Sequence, residues 1–309
     1  MNWVLVPQGI VNGFLNGGVL GLIALGLVLI YKSSEVFNFA QGYLLMLGAY
    51  VTYWFAGLFD TGNDWLTLAL AIVPAIIVAI LVGFIIERVA LRPMSGQPLL
   101  SIVLMTLGLA QLIEGLVSIF FGIEPRGDFP KPIPPMESFK IPFDLAFNGV
   151  IHVQKTRVAA FIVAIIGAIL LAVFFKLTKR GLAMRATSED HELARSVGIN
   201  VPRVFGLSWG LAGVIATLGG VLLAMLTGVS LSLSMVVMVA FPALLLGGLD
   251  SLPGAIVGGV AIGMAQELVE ASKIVQIRHS TEIAPYVLLL IVLLLRPEGL
   301  FGRKRIERI

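Results

Sequence analysis

Apolar residues run along this chain in blocks too long for a soluble fold. From Gly9 to Ile30 no charged residue occurs. A helix of that length rises ~33 Å, enough to cross the hydrocarbon core of a bilayer. Similar blocks at about 36–59, 66–91, 98–121, 157–176, 204–226, 235–249, 253–272 and 283–296 complete a series of predicted spans. The 235–249 block is short for a crossing and reads as a half-helix or re-entrant piece, so both eight and nine full spans fit. Residues 1–31 lack the basic opening and small-residue cleavage site of a secretory signal. The predicted fold class is an all-α polytopic membrane protein, a single domain over residues 1–309.

Two segments break this pattern. Residues 122–156 hold Pro125, Pro130, Pro132, Pro134, Pro135 and Pro142, which favour extended backbone and forbid a long helix. Residues 177–203 carry the densest charge in the chain. Within them, Thr187 or Ser188 is expected to N-cap a short helix, with Thr187-x-x-Asp190 as a capping box. Glu189, Asp190 and Glu192 then fall in the first turn, Arg195 in the last, and Gly198 at C′. Leu193, Ala194 and Val197 share one face. An isolated helix that short is marginal, so it must dock, either on its own bundle or on another protein.

Charge sets the expected orientation. With the N-terminus outside, the inner loops and tail hold Lys32, Arg88, Arg92, Lys176, Lys179, Arg180, Arg185, Arg195, Arg203, Arg296, Arg303, Lys304, Arg305 and Arg308. The outer loops hold Arg126, Lys131, Lys140, Lys155, Arg157, Lys273 and Arg278, half as many. The positive-inside bias predicts N-out and C-in. If 235–249 failed to cross, the basic tail would fall outside, which argues for nine crossings. The net charge of +3 needs only this bias and implies no nucleic acid.

Composition narrows the function classes. Hydrophobic residues make up 58% and charged residues 13%, and the mean hydropathy is +0.99, which excludes disorder and a soluble enzyme. Cysteine is absent, which removes disulfides, thiolate metal sites and Cys nucleophiles. His152, His191 and His279 lack metal-ligand spacing. No P-loop, His-Glu-x-x-His or Gly-x-Ser-x-Gly motif occurs, so an intramembrane enzyme is disfavoured and the chain cannot bind ATP by a P-loop of its own.

The remaining candidates are polar groups inside apolar spans. Asn38, Gln41 and Gly42 interrupt the second span. Amides there serve either as a lining for a polar pathway or as interhelical hydrogen-bond glue. Gly9, Gly13, Gly17 and Gly21 form a smooth stripe beside Asn12 and Asn16, and Gly206-x-x-x-Gly210, Gly254-x-x-x-Gly258 and Gly259-x-x-x-Gly263 repeat the spacing, as close helix packing requires. Glu114 near Gln111, and Glu267 beside Gln266, are ionisable groups within spans. Glu267 and Glu270 lie toward the outer end. Glu87 next to Arg88 reads as an interfacial anchor.

Several stretches resemble the branched-chain amino-acid permeases (LivH type) of bacterial ABC importers. They are Asn12-Gly13 with Leu22-Ile23-Ala24-Leu25-Gly26, Asn38-Phe39-Ala40-Gln41-Gly42, Met46-Leu47-Gly48-Ala49-Tyr50, Leu91-Arg92-Pro93, the Lys179–Ile199 stretch, Leu246-Gly247-Gly248-Leu249-Asp250-Ser251-Leu252-Pro253-Gly254-Ala255 with Gly258-Gly259, and Arg296-Pro297-Glu298-Gly299-Leu300-Phe301-Gly302. The resemblance implies an ABC importer permease fold in the bacterial inner (plasma) membrane. It implies pairing with a second permease (a related LivM-like chain or itself), two cytoplasmic ATP-binding subunits, and a periplasmic or lipid-anchored substrate-binding protein. ATP and Mg would be held by the ATPase subunits, with no cofactor on this chain. Asn12, Asn16, Asn38, Phe39, Gln41, Gly42 and Glu114 become candidates for the translocation pathway. Arg185, Ser188, Glu189, Asp190, His191, Glu192, Leu193, Arg195 and Val197 become candidates for coupling to the ATPase. The family often has His in place of Gln41 and an acid in place of Tyr43, and its members also carry urea, amides and aromatic acids. A stand-alone carrier or channel is the alternative, but such a protein has no use for a capped docking helix.

Overall fold

The computed structural model describes residues 6–94, 96–134, 137–143, 149–272 and 280–302. Pro135, Lys273, Arg278, His279, Arg303, Lys304, Arg305 and Arg308, which entered the expectations above, lie outside them. The described elements are α1 (Val6–Ser34), α2 (Gln41–Leu58), α3 (Asp64–Ile86), α4 (Leu99–Phe121), β1 (Ser138–Phe143), β2 (Gly149–Gln154), α5 (Lys155–Leu177), α6 (Lys179–Glu189), α7 (His191–Ser196), α8 (Val201–Thr227), α9 (Val236–Gly247), α10 (Leu252–Ser272) and α11 (Ser280–Leu295). Among the described residues, six helices are long and apolar enough to cross a membrane: α1, α3 with its continuation to Met94, α4, α5, α8 and α10. The chain is a multi-pass membrane protein. Leu231–Gly247 and Ser280–Leu295 form shorter apolar helical segments.

The expectation of an all-α chain is corrected by a two-stranded antiparallel sheet, in which Ser138 pairs with Gln154 and Phe143 with Gly149. Proline excluded a helix there, and alternating Ile151 and Val153 found a core to face. The second span also differs. It begins at Gln41 rather than at residue 36, because Glu35 takes a left-handed φ of 55° and the next five residues are unwound. The third span ends in a π turn, Glu87–Leu91. That turn brings Arg92 back onto Glu87, whose carboxylate accepts two bonds from the guanidinium at 3.2 Å each. Glu87 is buried and paired with Arg92, rather than reaching out as an interfacial anchor.

Caps end and begin these helices as short polar side chains allow. Asn63 accepts the Trp65 and Leu66 amides, Thr178 the Gly181 amide, Asn200 the Arg203 amide, and Ser251 the Gly254 amide.

The chain forms two compact units. One comprises Met1–Val28, Ile133–Ile166 and Met238–Ile309; the other comprises Leu29–Pro132 and Gly167–Val237. In the first, the glycine stripe of α1 meets α10 backbone to backbone. A Cβ on Gly13 would lie 2.6 Å from the Met264 Cα, and one on Gly17 2.5 Å from the Val260 Cα. Without side chains between them, dispersion contacts and weak backbone contacts hold the pair, as apolar lipid offers no hydrophobic drive. The sheet packs on the same helix: Ile151 and Val153 cluster with Leu15, and Gln8 accepts the His152 amide at 2.8 Å while donating to the His152 carbonyl at 2.5 Å. The segment after α11 closes onto α9, with Leu300 N donating to Leu246 O at 2.8 Å and Phe301 N to Gly247 O at 3.1 Å. Two of the sequence stretches that carry the resemblance therefore meet.

In the second unit, α2, α3 and α8 pack closely. A Cβ on Gly83 would lie 2.5 Å from the Trp209 carbonyl oxygen, and one on Gly48 2.6 Å from the Thr217 Cα. Beyond α4, the Arg126 and Val229 backbones exchange bonds of 2.8 and 2.9 Å, which tie the loop after α4 to the end of α8.

Candidate functional site

The break between α1 and α2 is built by local chemistry. Glu35 N makes the last bond of α1, to Tyr31 O at 2.7 Å, and its left-handed φ of 55° stops the helix. Asn38 Oδ1 then accepts the Ala40 amide at 3.0 Å, an Asx-type turn that starts α2. Asn38 Nδ2 donates to Gln41 Oε1 at 3.2 Å, and Gln41 Nε2 donates to the Ala212 carbonyl of α8 at 3.2 Å. Both amides are buried. The Thr106 hydroxyl of α4 donates to Val103 O at 2.8 Å, and its oxygen accepts from Phe39 N at 3.4 Å. Gly42 lies against α9's approach, where an added Cβ would be 2.8 Å from the Val237 Cβ. An unwound elbow with satisfied amides is thus clamped by α4 and α8.

The other pathway candidates lie elsewhere. Asn12 and Asn16 sit half-buried on α1 in the first unit, where Gln8 Nε2 reaches Asn12 Oδ1 at 3.4 Å. Asn16 Nδ2 donates to Glu267 Oε1 at 2.5 Å, and Arg157 Nη1 donates to the same oxygen at 3.2 Å. Glu114 is half-buried on α4, and Ser118 bonds its backbone carbonyl at 2.8 Å. Spacing within a helix could not reveal Arg157 or Arg92 as partners of Glu267 and Glu87. One acts across a separation of 110 residues, and the other depends on a π turn.

The charged segment between α5 and α8 forms two helices. The predicted cap is corrected: Asp190, rather than Thr187 or Ser188, N-caps α7 and accepts the Glu192 and Leu193 amides at 2.8 and 2.9 Å. Thr187 is instead buried within α6, so the predicted helix is shorter at its start. The C-terminal prediction describes the observed cap. Gly198 has a φ of 87°, its amide bonds Arg195 O at 3.0 Å, and the Ile199 amide bonds Ala194 O at 3.0 Å, a Schellman motif.

The two ends orient α7. Ala194 is buried, and the His191 ring meets the Phe205 ring edge-on at 5.5 Å, which seats the helix on α8. Leu193 and Val197 then point away and are 64% and 69% exposed. Glu192 and Arg195 are exposed beside them, Asp190 caps the junction after Glu189, the last residue of α6, and Arg185 and Ser188 lie half-buried on α6, where Ser188 bonds Arg185 O at 2.8 Å. Leu182 on α6 is also exposed, at 58%.

Comparison with known proteins finds relatives along nearly the whole chain. Residues 9–295 match the family model of the branched-chain amino acid transport system permease component. The chain is 31% identical over 307 residues to the high-affinity branched-chain amino acid transport system permease protein LivH of Escherichia coli (strain K12), covering 98% of this chain and 97% of that protein. It is 30% identical over 308 residues to BraD of Pseudomonas aeruginosa, described in the same words, with the same coverage of each chain. A probable LivH of Methanocaldococcus jannaschii is 31% identical over 258 residues, covering 81% of this chain and 77% of that protein. Among solved structures, PsaBC from Streptococcus pneumoniae in complex with Fab aligns over 94% of this chain and 92% of that chain with a TM-score of 0.45 and 18% identity. With a family match over nearly its whole length and relatives above 30% identity end to end, the chain belongs to the branched-chain amino acid transport permease family.

Proposed function

We propose that this chain is the permease subunit of a binding-protein-dependent ABC importer in the bacterial plasma membrane. Its cargo is a branched-chain amino acid or a related small organic solute such as urea, an amide or an aromatic acid. The chain crosses nine times, N-out and C-in, through α1, α2, α3, α4, α5, α8, α9, α10 and α11. The basic bias of the inner loops supports that orientation. A second permease completes the pathway, two cytoplasmic subunits hydrolyse ATP with Mg, and an external binding protein, periplasmic or lipid-anchored, delivers the cargo.

The observation that carries this reading is α7. Its apolar residues Leu193 and Val197 face away from the chain's own packing, on a helix whose two ends are fixed by caps. Burying each in a partner's groove contributes ~1.5–3 kcal/mol. An exposed rim pair at Arg195 adds only ~0.2–1 kcal/mol. Docking is therefore mainly apolar, with Arg185, Ser188, Glu189, Asp190, His191, Glu192 and Arg195 shaping and orienting the contact. α7 lies between α5 and α8, so a displacement of its partner is transmitted to both spans.

Asn12, Asn16, Asn38, Phe39, Gln41, Gly42 and Glu114 are proposed to border the route. The elbow at Asn38–Gln41 supplies the backbone break at which α1 and α2 can re-aim, and its amides hold the observed arrangement. Affinity purification of the tagged chain from its native membrane tests the reading. The expected result is co-purification of two ATP-binding subunits and ATP-dependent leucine uptake by vesicles carrying the complex. A chain that transports alone, without ATP, overturns it.

A further inference from the structure

The half-exposed ion pair between Arg157 and Glu267 is not explained by helix packing alone. Arg157 is the third residue of α5, Glu267 lies near the end of α10, and Asn16 on α1 joins them; all three belong to the same compact unit. Asn16 Nδ2 and Arg157 Nη1 both donate to one oxygen of Glu267, Oε1, while Arg157 Nε donates to Gln154 Oε1 at 2.9 Å. Among the described residues, Oε2 of Glu267 and Nη2 of Arg157 have no hydrogen-bond partner. The two side chains keep 19% and 26% of their surface exposed.

Charged groups on membrane helices are costly against acyl chains, so they face an aqueous cavity or another polar surface. The helices beneath are not free to slide, because α1 and α10 are locked through Gly13 and Gly17. Asn16 and Glu267 are therefore held in fixed relation before any ligand arrives, and binding costs little reorganisation.

An open carboxylate oxygen beside an open guanidinium nitrogen matches a ligand that carries an ammonium and a carboxylate on one carbon. We propose that Glu267 and Arg157 form an outer station on the translocation route that receives the zwitterionic head of an α-amino acid, the ammonium on Glu267 Oε2 and the carboxylate on Arg157 Nη2. This rests on the reading of the chain as an amino-acid permease and deepens it: urea and neutral amides lack both charges and would pass the station unheld. Asn16 is a positioning residue, because it fixes the Glu267 carboxylate through Oε1. The competing role is a staple of α5 to α10, and the two roles make opposite demands on Glu267. A staple needs the reach of the side chain; a station needs its charge.

The experiment compares Glu267→Gln and Glu267→Asp in the purified, reconstituted importer with saturating leucine-loaded binding protein. Gln keeps the length and the acceptor oxygen that Asn16 and Arg157 use. Asp keeps the charge and shortens the reach. The station requires Asp to transport leucine faster than Gln, with Gln slowed about tenfold or more, the ratio that one charge-assisted hydrogen bond supports. Gln transporting as fast as Asp or faster overturns it. A second measurement needs no variant. Saturation-transfer NMR of leucine on the wild-type complex without binding protein should show displacement by isoleucine and none by leucinamide or 2-hydroxyisocaproate at equal concentration. Equal displacement by those analogues overturns the station while leaving the permease intact. A wild-type complex that takes up no leucine at all overturns both the amino-acid reading and the station.

Discussion

Gln41 donates from a fully buried side chain to the Ala212 carbonyl at 3.2 Å, joining the first residue of α2 to the middle of α8. The same side chain accepts from Asn38 across the elbow. Replacing Gln41 with Leu leaves the Asn38 amide without that acceptor, at a cost of ~1–3 kcal/mol. The expected outcome is a lower thermal midpoint of the purified chain together with reduced uptake. Uptake at the wild-type rate would assign the amide to structure alone.

The glycines separate into two kinds. Gly17 lies against the α10 backbone, whereas Gly108 on α4 has nothing within 4 Å of an added Cβ. Gly17→Val should destabilise the chain by ~1–3 kcal/mol or more, since α10 must move aside. Gly108→Ala should stabilise it by ~0.5–1 kcal/mol through lower backbone entropy in the unfolded state. Thermal unfolding in detergent distinguishes them, and equal effects would contradict the backbone-to-backbone packing of α1 on α10.

Glu35 holds a left-handed φ that costs a residue with a Cβ ~1–2 kcal/mol. Glu35→Gly is expected to raise the thermal midpoint while the elbow persists. A fall would mean that the Glu35 side chain contributes more than its backbone strain costs.

The absence of cysteine makes the native chain a ready background for topology. Single cysteines at Ser138 on β1 and Ser196 at the end of α7 should react with an impermeant reagent from opposite sides of the membrane, Ser138 from outside. Reaction of both from one side would overturn the proposed orientation.

Much of this was legible in the sequence. Long apolar blocks announce membrane helices because length and hydropathy set the crossing. The four-residue glycine spacing gave the α1 packing face, and Gly198 gave the α7 stop through its positive φ. Other features escaped, the β1–β2 pairing and the Arg92 partner of Glu87 among them. The elbow's extent depends on the Glu35 backbone, and Glu does not advertise a left-handed conformation. The cap moved from Thr187 to Asp190 because Thr187 found a buried place in α6, a tertiary preference that overrides local capping. The Glu267 site needs three helices far apart in sequence, and helical periodicity carries no information about such contacts.

The proposed role of α7 is to transmit ATP-driven motion to the membrane helices, and its exposed residues allow a direct test. Leu193→Glu combined with Val197→Glu alters side chains that are mostly solvent-exposed, so folding and insertion of the chain should survive. ATP hydrolysis by the reconstituted complex, measured with and without loaded binding protein, is the decisive quantity. The double variant should lose its response to loaded binding protein, and with it uptake, while retaining the wild-type thermal midpoint of the permease chain. Hydrolysis that still rises with loaded binding protein to the wild-type level would show that α7 is not the coupling contact.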